Sequence, residues 1–208
     1  MMPIVEKIEK SKHKQERVLV FLQGGDLLRI TETELLRFGL CKGMVLTEEQ
    51  ISELQAAGIK SETRAAAARM ASGRMLSKRE LQNRLTKKGV EELEAAETAD
   101  WLEKLGAVDD AAYAGTIVRH YGAMGYGPAR VRQELQRRGI PGELWAEAMT
   151  EMPPAREAID GFIQSRLRGK RADAAAAKKI SDALLRRGFS WSEVGPAIRA
   201  LEQEISED

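Results

Sequence analysis

Cysteine is almost missing from this sequence of 208 residues. Cys41 is the only one, which excludes an internal disulfide and a cysteine-built zinc centre. It has no His or Asp companion either, so it is not a credible nucleophile. Long apolar runs are missing as well: no stretch approaches the about 18 residues a membrane helix needs, and the start, Met1 to Lys14, is charged and lacks an apolar run of signal-peptide length. A soluble cytoplasmic protein is expected, with no membrane contact. Charge of one sign is also missing, since 33 basic residues face 32 acidic ones for a net charge of +1. No global field therefore draws in nucleic acid. There is no P-loop, no dinucleotide-binding glycine pattern and no serine elbow. His13 and His120 are isolated, with no partner at ligand spacing. Neither catalysis, nor a cofactor, nor a metal site is expected.

What is present favours helices. Apolar residues make up 43% and charged residues 31%, while aromatics supply only 5%. Ala and Leu dominate the apolar set, and these, with Arg, Lys, Glu and Gln, head the helix-propensity ranking. The first sixty residues read differently. Arg17-Val18-Leu19-Val20-Phe21-Leu22 is a short β-rich run, Gly24-Gly25 follows, and then Leu27-Leu28-Arg29-Ile30. Two apolar runs around a Gly-Gly turn predict a hairpin, because glycine supplies the positive φ of tight hairpin turns. Two short helices should follow, over Glu32–Phe38 and over Thr47–Ala57, the second with Thr47 as N-cap and Gln50 three residues on.

From about Ser61 the pattern turns helical and repeats. Gly89, Gly139 and Gly188 lie 50 and 49 residues apart, a spacing that signals a repeat architecture. Eight residues before each stands Leu81, Val131 or Ile180, and four before stands Leu85, Leu135 or Leu184. A basic pair precedes each glycine (Lys87-Lys88, Arg137-Arg138, Arg186-Arg187), and Val90, Ile140 or Phe189 follows it. Apolar residues at i and i+4 make one helical stripe. The glycine suits the position where a left-handed backbone closes a helix, and the apolar residue after it should touch the leucine four before it. Ser77-Lys78-Arg79-Glu80 is a capping box, with Leu76 and Leu81 placed as a hydrophobic staple.

Helices flank each central one: Ser61–Ala71 and Glu91–Leu105, then Asp110–Tyr121 and Gly142–Met152, then Ala155–Leu167 and Glu193–Glu204. Pro128 in Gly-Tyr-Gly-Pro suits a first helical turn. The expected organisation is an N-terminal hairpin-plus-helix segment over 1–60 and three-helix repeats over 61–109, 110–153 and 154–208. The fold class is mainly α.

These residues carry a resemblance. Ser77-Lys78-Arg79-Glu80-Leu81 through Lys88-Gly89 resembles the opening motif of the RecX family. Leu105-Gly106-Ala107-Val108-Asp109-Asp110-Ala111-Ala112-Tyr113-Ala114 resembles that family's Leu–Gly–x–(Leu or Ile)–Asp–Asp–x–x–(Tyr or Phe)–Ala signature, with Val108 a mild departure. Gly127 through Glu134-Leu135-Gln136-Arg137-Arg138-Gly139-Ile140 resembles its Gly–x–x–x–(Ile or Val)–x–x–Glu–Leu–x–x–(Lys or Arg)–Gly–Ile block. The similarity runs from about Ser61 to the C-terminus and is weakest over Ile180–Phe189. The resemblance implies an elongated, curved array of three-helix units, monomeric and without catalysis. It also implies binding along the groove of the RecA–DNA filament, restraint of ATP hydrolysis and strand exchange, and in some members direct binding of single- or double-stranded DNA.

Local charge blocks bear on that expectation. From Arg64 to Lys88 there are eight basic residues against Glu80 alone, from Glu91 to Asp110 eight acidic residues against Lys104, and from Arg166 to Arg187 eight basic residues against Asp173 and Asp182. Such blocks suit a charged partner. They also suit solvated helix faces, with the basic pairs complementing helix C-terminal dipoles at about 0.3–1 kcal/mol each. Arg84, Lys87, Lys88, Arg130, Arg137 and Arg138 recur on equivalent helices of two successive repeats and are the candidate partner contacts. Tyr126, between two glycines, joins them. Tyr113, Tyr121 and Trp145 read as core or inter-helix filler. Asp109-Asp110 could invite a metal, but adjacent carboxylates at a helix start point different ways, and either can serve as the N-cap.

Overall fold

The structure is a computed structural model that describes residues 2–12, 17–169 and 172–206, without the side chains of residues 204 and 206. The chain is mainly helical and carries a small N-terminal antiparallel sheet. It forms two compact units, Met1–Arg74 with Leu81–Leu102, and Met75–Glu80 with Glu103–Asp208.

The first unit opens with strands β1 (Val5–Lys10), β2 (Arg17–Leu22) and β3 (Leu27–Thr31) in the order β1-β2-β3. In β2, Val18, Val20 and Leu22 are buried while Arg17, Leu19 and Phe21 are half-exposed, so the apolar run alternates as one strand of a one-sided sheet. Gly24 and Gly25, at φ of +106° and +95°, make the expected turn. The hairpin is nevertheless incomplete as read from sequence. β1 adds a third strand, which was hidden because Val5-Glu6-Lys7-Ile8-Glu9-Lys10 is mostly charged, as suits an edge strand.

Helix α1 (Glu32–Arg37) is closed by a Thr31/Glu34 capping box, and α2 (Glu48–Gly73) by one from Thr47 and Gln50. The two helices expected over Thr47–Ala57 and Ser61–Ala71 are one helix of 26 residues, running straight through the expected boundary at residue 60. Gly58 lies where α2 crosses β3. A side chain there would collide with the Arg29 carbonyl, so the glycine serves close approach. Leu54 from α2 completes the core made by Val5, Val18, Val20, Leu22, Leu28, Ile30, Leu40 and Leu46. Helix α4 (Glu92–Lys104) lies against α2 through Lys60–Glu97 at 2.9 Å, with Arg64 4.8 Å over the Trp101 ring.

Helix α3 (Lys78–Thr86) begins in the second unit and ends in the first. The second unit continues with α5 (Asp110–Ala123), α6 (Pro128–Arg137), α7 (Trp145–Ala148), α8 (Ala155–Leu167), α9 (Ala174–Arg186) and α10 (Trp191–Ser206). Two cores follow the repeats. One is built on Tyr113, Ile117, Val118, Val131, Leu135 and Ile140, the other on Ile159, Ile180, Leu184, Phe189, Val194 and Ile198. The single helix expected over Gly142–Met152 is instead a 3-10 turn, α7 and a second 3-10 turn, Met149–Glu151. Pro141 and Gly142 at its start give no side-chain cap, and the short segment is anchored by Trp145, whose indole N–H donates to the Ile140 carbonyl at 3.0 Å.

All three middle helices close in one way. Gly89, Gly139 and Gly188 donate to the carbonyls of Thr86, Gln136 and Leu185 at 2.9, 2.9 and 3.0 Å. Val90, Ile140 and Phe189 donate to those of Leu85, Leu135 and Leu184 at 3.2, 3.0 and 3.3 Å. This pair of bonds is the Schellman motif. The glycines take φ of +90°, +70° and +91°, as the sequence predicted.

Candidate partner-binding surface

The corner after each middle helix ends in a basic pair, and the two members of the pair have different environments. In the first unit, Lys87 and Lys88 are both exposed at the end of α3, and Arg84 one turn back is half-buried. In the second unit, α6 presents Arg130, Gln133 and Arg137 at i, i+3 and i+7, one exposed face, with Arg130 3.3 Å from the Gln133 side-chain oxygen. Arg132 is exposed on the same helix and was not singled out from sequence.

Arg137 and Arg138 converge on one carboxylate. Glu134 is only 3% exposed. Its oxygens accept Arg137 Nε at 2.9 Å, Arg137 Nη2, and Arg138 Nε at 2.8 Å. Hydrogen bonds from Arg137, then from Arg138 and Tyr121, outweigh the cost of burial and hold the Glu134 carboxyl down at about 2. The Arg137 guanidinium is pushed up by the same bond. Charge at i, i+3 and i+4 is the sequence signal that could have announced this cluster.

Arg138 is built further into the fold. Its guanidinium lies 5.7 Å over the Tyr113 ring, donates to the Tyr113 hydroxyl and comes within 3.9 Å of Glu80, while its backbone carbonyl accepts the Ser77 hydroxyl. Arg187 occupies the matching place one repeat on. It lies 5.3 Å over Tyr126 and 4.7 Å over Phe162, and donates to the carbonyls of Met124 and Gly125 at 3.0 Å each. Tyr126 is thus half-buried between Arg187 and Tyr121, whose ring centroid is 5.5 Å away, and its ring faces are engaged inside the protein. The second member, Arg187, binds the preceding repeat through Tyr126 and the Met124 and Gly125 carbonyls, whereas the Arg138 side chain is held within its own repeat by Glu134 and Tyr113 and reaches the preceding one at Glu80. The first member, Arg137 or Arg186, is exposed.

The remaining sequence candidates resolve into structure. Asp109 caps α5 through the Ala112 N–H at 2.9 Å. Asp110 does not cap its own helix: its carboxylate reaches across to accept the Lys78 N–H at 2.8 Å, at the first turn of α3. Burial raises the Asp110 carboxyl, the Lys78 bond opposes this, and Glu103 and Asp109 add like charge. His120 is exposed at the edge of the Tyr121 ring, and Cys41 is exposed. His13, Lys170 and Arg171 lie outside the described residues. Among the described residues no helix is long and apolar enough to cross a membrane, and no three His, Cys, Asp or Glu gather as metal ligands.

Two positions that carry the inter-repeat contacts escaped the sequence reading. Ser77 was read only as a cap, and its hydroxyl also bridges to the next repeat. Gly127 stands in the sequence only before Pro128 and at the head of the family block, and its N–H donates to the Arg187 carbonyl at 2.9 Å.

By class this is a tandem three-helix-repeat scaffold with charged corners. Residues 109–149 match the family model described as RecX, second three-helix domain. Along its whole length the chain is 29% identical to a protein named Regulatory protein RecX from Lactobacillus delbrueckii subsp. bulgaricus, spanning 78% of it. It is likewise 29% identical to the protein of that name from Bacillus licheniformis, over 98% of this chain and 79% of the relative. A solved structure, the crystal structure of regulatory protein RecX, superposes with a TM-score of 0.75 at 25% identity, covering 92% of this chain and 97% of that one. Over its whole length the chain is thus similar to proteins named regulatory protein RecX, and its second three-helix unit matches that family's model.

Proposed function

We propose that this chain is a negative modulator of the RecA recombinase, binding the RecA–DNA filament groove and restraining ATP hydrolysis and strand exchange in recombination and DNA repair. It acts in the cytoplasm as a monomer and without catalysis of its own. The observation that carries this reading is the set of exposed cations on and just after the middle helices, Lys87 and Lys88 following α3 and Arg130 and Arg137 on α6, on a scaffold similar to regulatory RecX proteins. A polymer of identical protomers presents its charged surface periodically, and linked weak contacts along it add to strong avidity. Arg84 and Arg132 flank these contacts. Arg138 and Tyr126, given their internal partners, contribute by holding the surface in shape.

The test is RecA ATPase on single-stranded DNA with this protein titrated substoichiometrically. Inhibition is expected for the wild type, and loss of most of it for the Lys87→Ala, Lys88→Ala, Arg130→Ala variant, whose side chains pair with no carboxylate among the described residues. Unchanged inhibition by that variant would remove these residues from the interface. A second reading, a sequence-independent DNA-binding module, is favoured by the same exposed cations. It predicts equal affinity for bare DNA and filament, and binding that collapses as salt rises.

A further inference from the structure

Trp191 is 56% exposed and is the one aromatic residue of the exposed class among the described phenylalanines, tyrosines and tryptophans. Burying an indole is worth too much for such exposure to be a default. The local geometry is unusual as well. A side chain at Gly195, one turn along α10, would sit 3.3 Å from Trp191 Cε2, 3.4 Å from its Nε1 and 3.3 Å from Arg199 Nη1. The indole therefore folds down along the helix onto the bare glycine and does not project as a knob. Arg199 comes back from the next turn onto the same glycine and makes no ion pair among the described residues. The neighbouring carboxylate of Glu193 is occupied by the Ser190 cap, at 2.6 Å from the Ser190 N–H.

We infer that Trp191 with Arg199 forms a stacking platform for an unpaired base of a single-stranded nucleic acid, with Arg199 reaching the adjoining phosphate. A tryptophan that serves as a protein hot spot fills a pocket in its partner and must project to do so. One laid against a glycine offers a flat outer face, and a planar base covers such a face without needing a pocket. The cation beside the ring matches the phosphate that each base carries. The exposed Arg186 at the end of α9 adds a second cation on the same repeat.

The test uses the full chain and fluorescein-labelled oligo(dT), read by anisotropy at low salt without any recombinase, so that it is independent of the filament reading. Trp191→Ala is expected to weaken binding roughly tenfold, the loss of one stacked base, while Trp191→Phe keeps most of it. Arg199→Ala is expected to lower the salt dependence by about one phosphate contact, which Trp191→Ala leaves unchanged. A duplex of the same length hides its base faces, so Trp191→Ala should leave its affinity unaltered. Equal oligo(dT) affinity for wild type and Trp191→Ala would overturn the assignment, as would equal losses on single strand and duplex. Loss of RecA filament binding with oligo(dT) binding intact would also overturn it and give Trp191 to a protein partner.

Discussion

The two junctions in the second unit solve one problem with opposite means. At the first, Ser77 supplies a hydroxyl that donates to the Arg138 carbonyl beside the Gly139 corner. At the second, the matching residue is Gly127, which supplies no side chain at all. Its backbone N–H and that of Ala129 donate directly to Arg187 and Gly188, at 2.9 and 3.1 Å. The side-chain bridge keeps the two backbones apart, while the bare backbone lets them touch. The arginine before the corner glycine also differs: Arg138 stacks over Tyr113 of its own repeat, while Arg187 crosses the second junction to stack over Tyr126. In the third repeat the matching residue, Ala176, lies inside α9 with its N–H already taken by Asp173 at 2.6 Å, so that helix end is satisfied within its own repeat.

The strongest way to break this comparison is Gly127→Ala. The new Cβ would collide with the backbone of Gly188 and Phe189, which cannot swing aside. A loss of about 3 kcal/mol is expected from overpacking, read from urea denaturation. A change below the scatter of such measurements would mean the junction opens at little cost.

Next come the corner glycines themselves, which separate conformation from contact. At Gly188 a Cβ would stand 2.5 Å from the Arg130 nitrogen and 2.7 Å from its Cβ, and at Gly139 2.8 Å from the Arg79 Cβ, whereas nothing lies within 4 Å at Gly89. Gly89→Ala should cost only the left-handed penalty of about 1–2 kcal/mol, with Gly139→Ala and Gly188→Ala clearly above it in the same assay. Equal costs at all three would show that the neighbours yield freely.

Smaller effects test the side-chain junction. Ser77→Ala removes both the cap on Glu80 and the bridge to Arg138, and should cost about 1–2 kcal/mol; Ser77→Gly, if the bare-backbone solution were available here, would restore stability. Glu134 sets a pH dependence at the same corner. Its folded value of about 2 lies below the ordinary 4.5, so its contribution is complete above 4.5 and is lost as pH falls toward 2. The difference in urea midpoint between wild type and Glu134→Gln should therefore shrink across that window. Asp110 has the opposite sign: its raised carboxyl favours the fold at low pH and loses that advantage as pH rises through its folded value. Asp110→Asn keeps an acceptor for the Lys78 N–H, so it should change stability least of all at neutral pH and less than Asp110→Ala.

The corner glycines, the stripe Leu81/Leu85 and its copies, and the caps at Thr47, Ser77 and Asp109 were all legible because each works within one turn of chain. The candidate surface was legible only in part. Basic pairs can be read from sequence, but their division into an exposed member and one held inside the fold depends on residues far along the chain, Tyr113 of the same repeat for Arg138 and Met124 of the preceding repeat for Arg187.

Local propensity, helical period and backbone chirality determined from the sequence alone that this chain makes short glycine-ended helices in three copies. Only the tertiary structure decided which glycine is for a turn and which for contact, because Gly58 and Gly127 are required by a backbone crossing from another element. It also decided that β1 joins the sheet, that α2 runs unbroken past residue 60, and that Asp110 caps α3 rather than its own helix. Each of those outcomes rests on a hydrogen bond or a close approach between residues remote in sequence, and no local pattern encodes the distance between them.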